Sequence, residues 1–197
     1  MMHSLCKRAA AIIAASGLVL ATAACGSKGG SQAGSPKASA KLAAVSVSLD
    51  PCTLLTSDEV AQAIGMKVGK GVAQDEVLSD SRACNWEVQA AGYVCAKDIT
   101  GVTLELVQPP PALKPRFPTA AAYYPQLLGT LVQAGNSVHE VQGIGNAAFV
   151  SEGAAKKGLD VYARKGDAFL RVFSICGPPA TLEPALEGLM KQALAKA

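Results

Sequence analysis

Hydrophobic and polar residues alternate along residues 82–89 and 101–108, placing Trp86 and Leu104 on apolar sides. This period of two is typical of half-buried strands in an antiparallel sheet. Further strands are predicted at residues 138–141, 146–150, 159–164 and 168–175. A G-I-G turn separates the first two of these, and a K-G-D hairpin turn separates the last two.

A short helix is predicted directly after residue 56. Thr56 can cap its first turn, and the carboxylate of Glu59 can accept a hydrogen bond from the backbone N–H of Thr56. Leu55 and Val60 stand where a hydrophobic staple would lie, and Gly65 ends the helix.

Two longer helices are predicted at residues 119–134 and 181–197. Pro125 is expected to kink or split the first. The second has a continuous apolar face and few basic residues on its polar face, so it is expected to pack on a sheet rather than on a membrane. The order of elements predicts an α+β fold, with an antiparallel sheet packed by a short N-terminal helix, a middle helix and a C-terminal amphipathic helix. It also suggests two similar halves, with no residue-level repeat to support a duplication.

The first 25 residues have the organisation of a secretory signal. Lys7 and Arg8 form a basic start, and residues 9–24 are an uncharged run that ends in small residues. A transmembrane anchor needs about 20 apolar residues. This run is shorter and rich in alanine, so the signal peptide is favoured.

The sequence L-A-T-A-A-C at residues 20–25 resembles a bacterial lipobox, whose cysteine is acylated and becomes the mature N-terminus. Thr22 stands where leucine is commonest, and A-T-A also fits the rule for ordinary secretion. Cleavage before Cys25 would lipidate that residue and leave an even set of cysteines, whereas cleavage after Ala23 would leave one of five unpaired. The even set is Cys52, Cys84, Cys95 and Cys176.

These features predict three segments. Residues 1–24 are a signal peptide, and residues 25–44 are a lipid-anchored flexible linker of Gly, Ser, Ala, Pro and Lys. Residues 45–197 form a single extracytoplasmic domain. The expected location is the outer face of the cell membrane.

Composition argues against several classes of partner. The 197 residues carry a net charge of +3, and removal of Lys7 and Arg8 leaves 16 basic against 15 acidic residues, so no nucleic-acid binding is expected. Two histidines and 5% aromatic residues make a histidine-built metal site or a base-stacking platform hard to assemble. We expect no metal and no cofactor.

Candidate catalytic residues lack the partners that catalysis needs. The carboxylates of Asp75, Glu76 and Asp80 are predicted to lie in a solvated loop, with nothing nearby that would raise the pKa of one of them. His139 and Glu140 are neighbours in a strand and should point to opposite faces, so they form no relay.

Two further motifs also favour structural roles. Ser57 and Ser151 lack the G-x-S-x-G surroundings of a hydrolase nucleophile. The G-I-G segment at residues 143–145 lacks the third glycine and the helix of a phosphate-binding loop. Trp86 is expected in the core beside a disulfide. We therefore predict no catalytic residue and no enzymatic activity.

Three motifs in order carry a family resemblance. They are D-P-C-T-L-L-T at residues 50–56, C-N-W at residues 84–86 and G-I-G-N-A-A-F at residues 143–149. Together they resemble the uncharacterised secreted lipoprotein domains of actinobacteria, which open D-P-C-x-L-L-T and continue to C-x-W. The resemblance covers about residues 50–175. It implies a small extracytoplasmic α+β domain of no assigned activity.

Four mature cysteines allow three disulfide pairings. Of these pairings, we expect the one that contains Cys52–Cys84, a bond that would tie the entrance of the first helix to the Trp86 strand. Cys95–Cys176 is then the remaining pair. Cys95 lies outside the family pattern. A zinc site is disfavoured, because it needs closely spaced cysteine pairs.

The sequence predicts a membrane-anchored lipoprotein whose domain is a non-enzymatic interaction or ligand-sensing module. The alternative is a carrier of an apolar or lipid ligand in the cell envelope. The expected partners are the membrane, reached through the lipid anchor, and an unknown envelope protein or small ligand.

Overall fold

The computed structural model describes residues 49–75, 81–89, 101–153, 158–175 and 179–197. Within these ranges the chain forms four helices and seven strands. The helices are α1 (Pro51–Leu54), α2 (Ser57–Ile64), α3 (Ala120–Gln133) and α4 (Pro179–Lys196). The strands are β1 (Val72–Asp75), β2 (Arg82–Glu87), β3 (Gly101–Leu106), β4 (Ser137–Val141), β5 (Ala147–Glu152), β6 (Leu159–Lys165) and β7 (Ala168–Ser174).

The seven strands form one antiparallel sheet with the order β1-β2-β3-β7-β6-β5-β4. Strands β1 to β3 make one meander and strands β4 to β7 make a second, and the two join where β3 pairs with β7. Each meander follows a helix, α2 or α3. The predicted α+β class and antiparallel sheet are confirmed.

The local signals around α2 are confirmed residue by residue. The backbone N–H of Thr56 donates to Glu59 Oε2 at 2.7 Å, and the backbone N–H of Glu59 donates to Thr56 Oγ1 at 3.2 Å. Leu55 and Val60 are both buried, as a hydrophobic staple requires. Gly65 ends the helix with a φ of 68°, a conformation that glycine adopts without steric cost.

One face of the sheet, which we call the aliphatic face, packs against α1, α2 and α4. Leu104, Val172 and Val161 stand next to one another in register on β3, β7 and β6. They meet the apolar side of α4, as the sequence predicts. The buried residues that α4 contributes are Leu182, Leu186, Leu189, Met190, Ala193 and Leu194.

The opposite face, which we call the aromatic face, packs against α3. Phe149 and Tyr162 are directly paired on β5 and β6, with ring centroids 4.7 Å apart. Phe169 on β7 and Tyr123 on α3 complete this second cluster. The leucines of α3 are only partly buried against it, so α3 covers its face less completely than α4 covers the aliphatic one.

Three local predictions need correction. Helix α1 and strand β1 were not expected, because four-residue elements are too short for a period to show. Thr103 was expected on a solvated side of β3, but it is buried between its register partners Asn85 on β2 and Phe173 on β7, and its hydroxyl donates to Asn85 Oδ1 at 3.0 Å. Pro125 does not split α3, which is continuous from Ala120 to Gln133, and the alternative of a kink at Pro125 stays a prediction.

The helices that follow β3 and β7 share a motif. Both contain P-x-L-x-G-x-x-x-Q-A, at residues 125–134 in α3 and 184–193 in α4. The motif is a residue-level similarity between the helices that follow the two meanders, and sequence reasoning missed it. It is visible once the two helices are aligned on their internal prolines.

Candidate functional site

The disulfide Cys52–Cys84 joins the start of the domain to the centre of the first meander. Cys52 lies in α1 and Cys84 in β2, with 5.0 Å between their Cα atoms. Cys84 and Trp86 are fully buried on the aliphatic face. They pack so closely on Gly71 that a Cβ built there would lie 2.8 Å from both Cys84 Sγ and Trp86 Nε1. The predicted pairing and the core position of Trp86 are confirmed.

The remaining predicted cysteines, Cys25, Cys95 and Cys176, lie outside the described residues. Cys95 precedes β3 and Cys176 follows β7 along the chain. Val102 and Ser174, near those two strand ends, are partners in register. Lipidation of Cys25 and the bridge Cys95–Cys176 remain predictions.

The structure separates the residues that catalysis would need to combine. His139 lies opposite Val150, on the aliphatic side of β4, and its Nε2 is 2.9 Å from Glu183 Oε1 on α4. The neighbouring Glu140 faces the other side, as predicted. Ser151 is fully buried on the aromatic face, where its hydroxyl accepts a hydrogen bond from Asn136 Nδ2 at 3.2 Å. Its hydroxyl and the imidazole of His139 therefore point away from each other.

The acidic group at residues 75–80 does not form a described site. Asp75 is the last residue of β1 and pairs with Arg82 of β2 in register. Glu76 and Asp80 lie outside the described residues. Ser57 is the first residue of α2.

An open groove of about 450 Å³ runs between α2 and α4. Both walls combine small residues with polar ones. Helix α2 contributes Glu59, Gln62 and Ala63, and α4 contributes Thr181, Pro184, Ala185, Gly188 and Gln192.

An ion pair links the two helices at Glu59, the acidic residue of this groove. Lys196 Nζ donates to Glu59 Oε1 at 2.8 Å and to Oε2 at 3.0 Å. The hydrogen bond from Lys196 and the capping bond from Thr56 both stabilise the carboxylate, and they lower the pKa of Glu59 below its ordinary value. The carboxylate is therefore ionised at neutral pH, and the ammonium group of Lys196 balances its charge.

Two smaller depressions flank the G-I-G-N turn at residues 143–146. One of about 200 Å³ includes Tyr124 and Glu140, and burial raises the pKa of the Tyr124 hydroxyl to about 12. The other, of about 380 Å³, includes Lys165 and Lys191. Lys165 Nζ already donates to the carbonyl of Leu194 at 2.7 Å, so this lysine provides a hydrogen-bond donor for a backbone carbonyl in the last turn of α4.

A half-buried ion cluster occupies the aromatic face beyond α3. Arg171 Nε donates to Asp160 Oδ1 at 2.7 Å, and Arg171 Nη1 donates to Glu105 Oε2 at 3.1 Å. The guanidinium also lies 4.1 Å from the ring centroid of Phe173. Desolvation raises the pKa of Asp160 and outweighs the lowering effect of Arg171.

No family model, curated protein or solved structure matches this chain. In the described part of the chain, no three His, Cys, Asp or Glu side chains group together as a metal site requires. No helix within the described ranges is long and apolar enough to cross a membrane.

Sequence reasoning missed the α2–α4 groove and the Arg171 cluster. Gln62 and Gln192 look like ordinary solvent-facing residues, and only the packing of α2 against α4 brings them together. Glu105 and Arg171 are directly paired across β3 and β7, so their opposite charges would have signalled the cluster once that strand order was known.

Proposed function

We propose that this protein is a bacterial lipoprotein, anchored through acylated Cys25 to the outer face of the cell membrane. Its domain serves as a non-enzymatic interaction or ligand-sensing module. The observation that carries the proposal is the disulfide Cys52–Cys84, whose Cys84 end is fully buried. Structural disulfides persist in oxidising compartments outside the cytoplasm.

The disulfide also supports the proposed attachment. Cys52 is three residues beyond Leu49, where the described part of the chain begins. The bond fixes that entry point to β2, the middle strand of the first meander. This arrangement would strengthen a domain that is held to a membrane by its N-terminal segment. A force on that segment would be borne by the covalent bond rather than by the four-residue helix α1.

The placement of polar residues favours interaction over catalysis. The candidate base His139 is bound to Glu183, and the candidate nucleophile Ser151 is buried on the other face. The structure therefore does not bring these two candidate residues together. The alternative, a carrier of a lipid, draws less support, because leucine and valine side chains fill the space between the sheet and α4.

Intact-mass analysis of the protein from membranes of an expressing bacterium tests the anchor. We expect the mature chain to begin at Cys25 with the added mass of acyl chains, and Cys25→Ala to abolish both that mass and membrane retention. Cys6→Ala is the matched control, because Cys6 departs with the signal peptide in either case. A mature chain that starts elsewhere with a bare Cys25 thiol would refute the proposal.

A further inference from the structure

The ion cluster around Arg171 carries more negative than positive charge. Arg171 donates to Asp160 Oδ1 and to Glu105 Oε2, so one guanidinium faces two carboxylates and one negative charge is left over. The other oxygens of these carboxylates, Asp160 Oδ2 and Glu105 Oε1, have no hydrogen-bond partner among the described residues. Carboxylate oxygens that are largely shielded from water and lack donors cost stability. The cluster can therefore accept a further cation that carries N–H groups.

The register of the sheet sets Tyr162 beside this cluster. Tyr162 on β6 is directly paired with Arg171 on β7, and Arg171 is directly paired with Glu105 on β3. The three side chains therefore form one row on the aromatic face, and the guanidinium of Arg171 lies 5.6 Å from the ring centroid of Tyr162. Tyr123 reaches the same row from the first turn of α3. Burial and the charge of Glu105 both raise the pKa of its hydroxyl.

The hydroxyls of these two tyrosines lack hydrogen-bond partners. Tyr162 and Tyr123 are only 5% and 8% exposed, yet neither hydroxyl forms a hydrogen bond to any described residue. Every fully buried polar side-chain atom in the described ranges has a partner, so the two hydroxyls must face space that solvent can reach. Burial raises the pKa of the Tyr162 hydroxyl, which therefore stays protonated at neutral pH and can both donate and accept.

The chemistry of these groups selects the class of ligand. Two carboxylate oxygens and two phenol oxygens are available as acceptors, and the excess negative charge repels anions. A metal ion is disfavoured, because no three His, Cys, Asp or Glu side chains group together in the described part of the chain. An ammonium or guanidinium group supplies a positive charge and several N–H donors at once, so it matches the cluster in both respects.

We infer that the aromatic face holds a site for a small organic cation, whose ammonium or guanidinium group donates to Glu105, Asp160 and the hydroxyl of Tyr162. The inference deepens the proposed function, on which it rests, by naming the chemistry of the ligand that the module senses. Because Tyr123 belongs to α3, a cation bound here lies against both the sheet and that helix.

Isothermal titration calorimetry of the full chain in a nonionic detergent tests this inference. The probes are butylammonium and butylguanidinium, with tetramethylammonium as a cation that has no N–H donor and butanol as an uncharged control. We expect the two N–H cations to bind saturably, and tetramethylammonium and butanol to bind at least about tenfold more weakly. Absence of saturable binding by both N–H cations, or equal binding of tetramethylammonium, would overturn the inference.

An end-blocked peptide, Gly-Gly-Lys-Gly-Gly, separates two sources of the same ammonium chemistry. Binding of butylammonium without binding of the peptide would support a free small molecule as the ligand. Binding of the peptide at least as tight as that of butylammonium would overturn that assignment and place a lysine of a partner protein in the site.

Three variants locate the site. Tyr162→Phe removes the hydroxyl and keeps the ring, and Glu105→Gln removes the excess negative charge, so each should weaken binding about tenfold or more. Tyr124→Phe is the matched control and should leave affinity unchanged. Tyr124 belongs to the same aromatic cluster, but its hydroxyl is influenced by Glu140 and Arg164 instead. Equal affinity of wild type, Tyr162→Phe and Glu105→Gln would refute the assignment.

The readout separates this inference from the proposed anchor. Cation binding that is lost in Tyr162→Phe, in a protein whose Cys25 is bare, would refute the anchor and support the site. An acylated Cys25 in a protein that binds neither N–H cation would do the reverse.

Discussion

The two faces of the sheet achieve stability in different ways. The aliphatic face is covered by three helices and filled with branched aliphatic side chains, and the disulfide and Trp86 lie within it. The aromatic face is covered by α3, which buries rings beside an ion cluster. Leu186 of α4 is fully buried, whereas its counterpart in the shared motif, Leu127 of α3, is half-buried. Most of the stability should therefore reside on the aliphatic face.

Removing the disulfide should have the largest effect of the changes considered. The bond closes a loop of 32 residues, for which chain entropy gives about 3.7 kcal/mol, a large fraction of the stability of a small domain. We expect Cys52→Ala with Cys84→Ala to lower the free energy of unfolding by about that amount, measured by urea denaturation. A loss well below about 2 kcal/mol would mean that packing alone secures this end of the aliphatic face.

Two leucines at the same position of the shared helix motif allow the stability of the two faces to be compared directly. Leu186→Ala leaves a cavity in the aliphatic face and should cost about 3 kcal/mol, within the usual range for a buried leucine. Leu127→Ala removes a half-buried side chain at the same motif position in α3 and should cost about 1 kcal/mol. Urea denaturation of both variants gives the difference. Equal costs would show that the two helices secure their faces equally.

Arg171 tests the ion cluster of the aromatic face. Arg171→Met removes the cation that Glu105 and Asp160 share, and it leaves two shielded carboxylates near each other. Their side chains are 14% and 18% exposed, so solvent screens them in part, and we expect a loss of about 2 kcal/mol at neutral pH. Glu105→Gln added to Arg171→Met should restore part of that loss, since one uncompensated charge disappears. No recovery in the double variant would mean that the methionine itself disturbs the packing.

The same contrast explains what sequence could predict. The aliphatic face follows from local patterns: the capping box of Thr56 and Glu59 and the apolar stripe of α4 all appear in the structure as expected. The disulfide Cys52–Cys84 was also predicted correctly.

The aromatic face could not be predicted in the same way, because its polar positions depend on strand order. Glu105 and Arg171 are 66 residues apart and meet only because β3 pairs with β7, across the two meanders. Periodicity marks Thr103 and Glu105 as solvent-facing, and it contains no information about which side chains flank them on the neighbouring strands. The groove was missed for a related reason, since it exists only between two helices that are far apart in sequence.

Replacing a helical glycine with alanine should have a smaller effect than these changes, and it should raise the free energy of unfolding rather than lower it. Gly188→Ala should raise the free energy of unfolding by about 1 kcal/mol, because alanine favours a helix and its Cβ meets open space. Gly129→Ala in α3 should give a similar gain, since a Cβ there is also unobstructed. Thermal denaturation of each variant measures the gain. A loss of stability in Gly188→Ala alone would reveal a packing contact of that glycine in the groove.

Acid should affect two carboxylates in opposite directions, one on each side of the sheet. The pKa of Glu59 lies below its ordinary value of 4.5, so its contribution is present above that pH and is lost as the pH falls further. The pKa of Asp160 is raised above its ordinary value of 3.8, so the folded state holds this proton more tightly, and stability is lost as the pH rises through that window. Between pH 7 and pH 3, Glu59→Gln should therefore lose less stability than wild type, and Asp160→Asn should lose more. Urea midpoints at the two pH values measure both differences, and shifts of the same sign would contradict the assignment of these carboxylates to unlike environments.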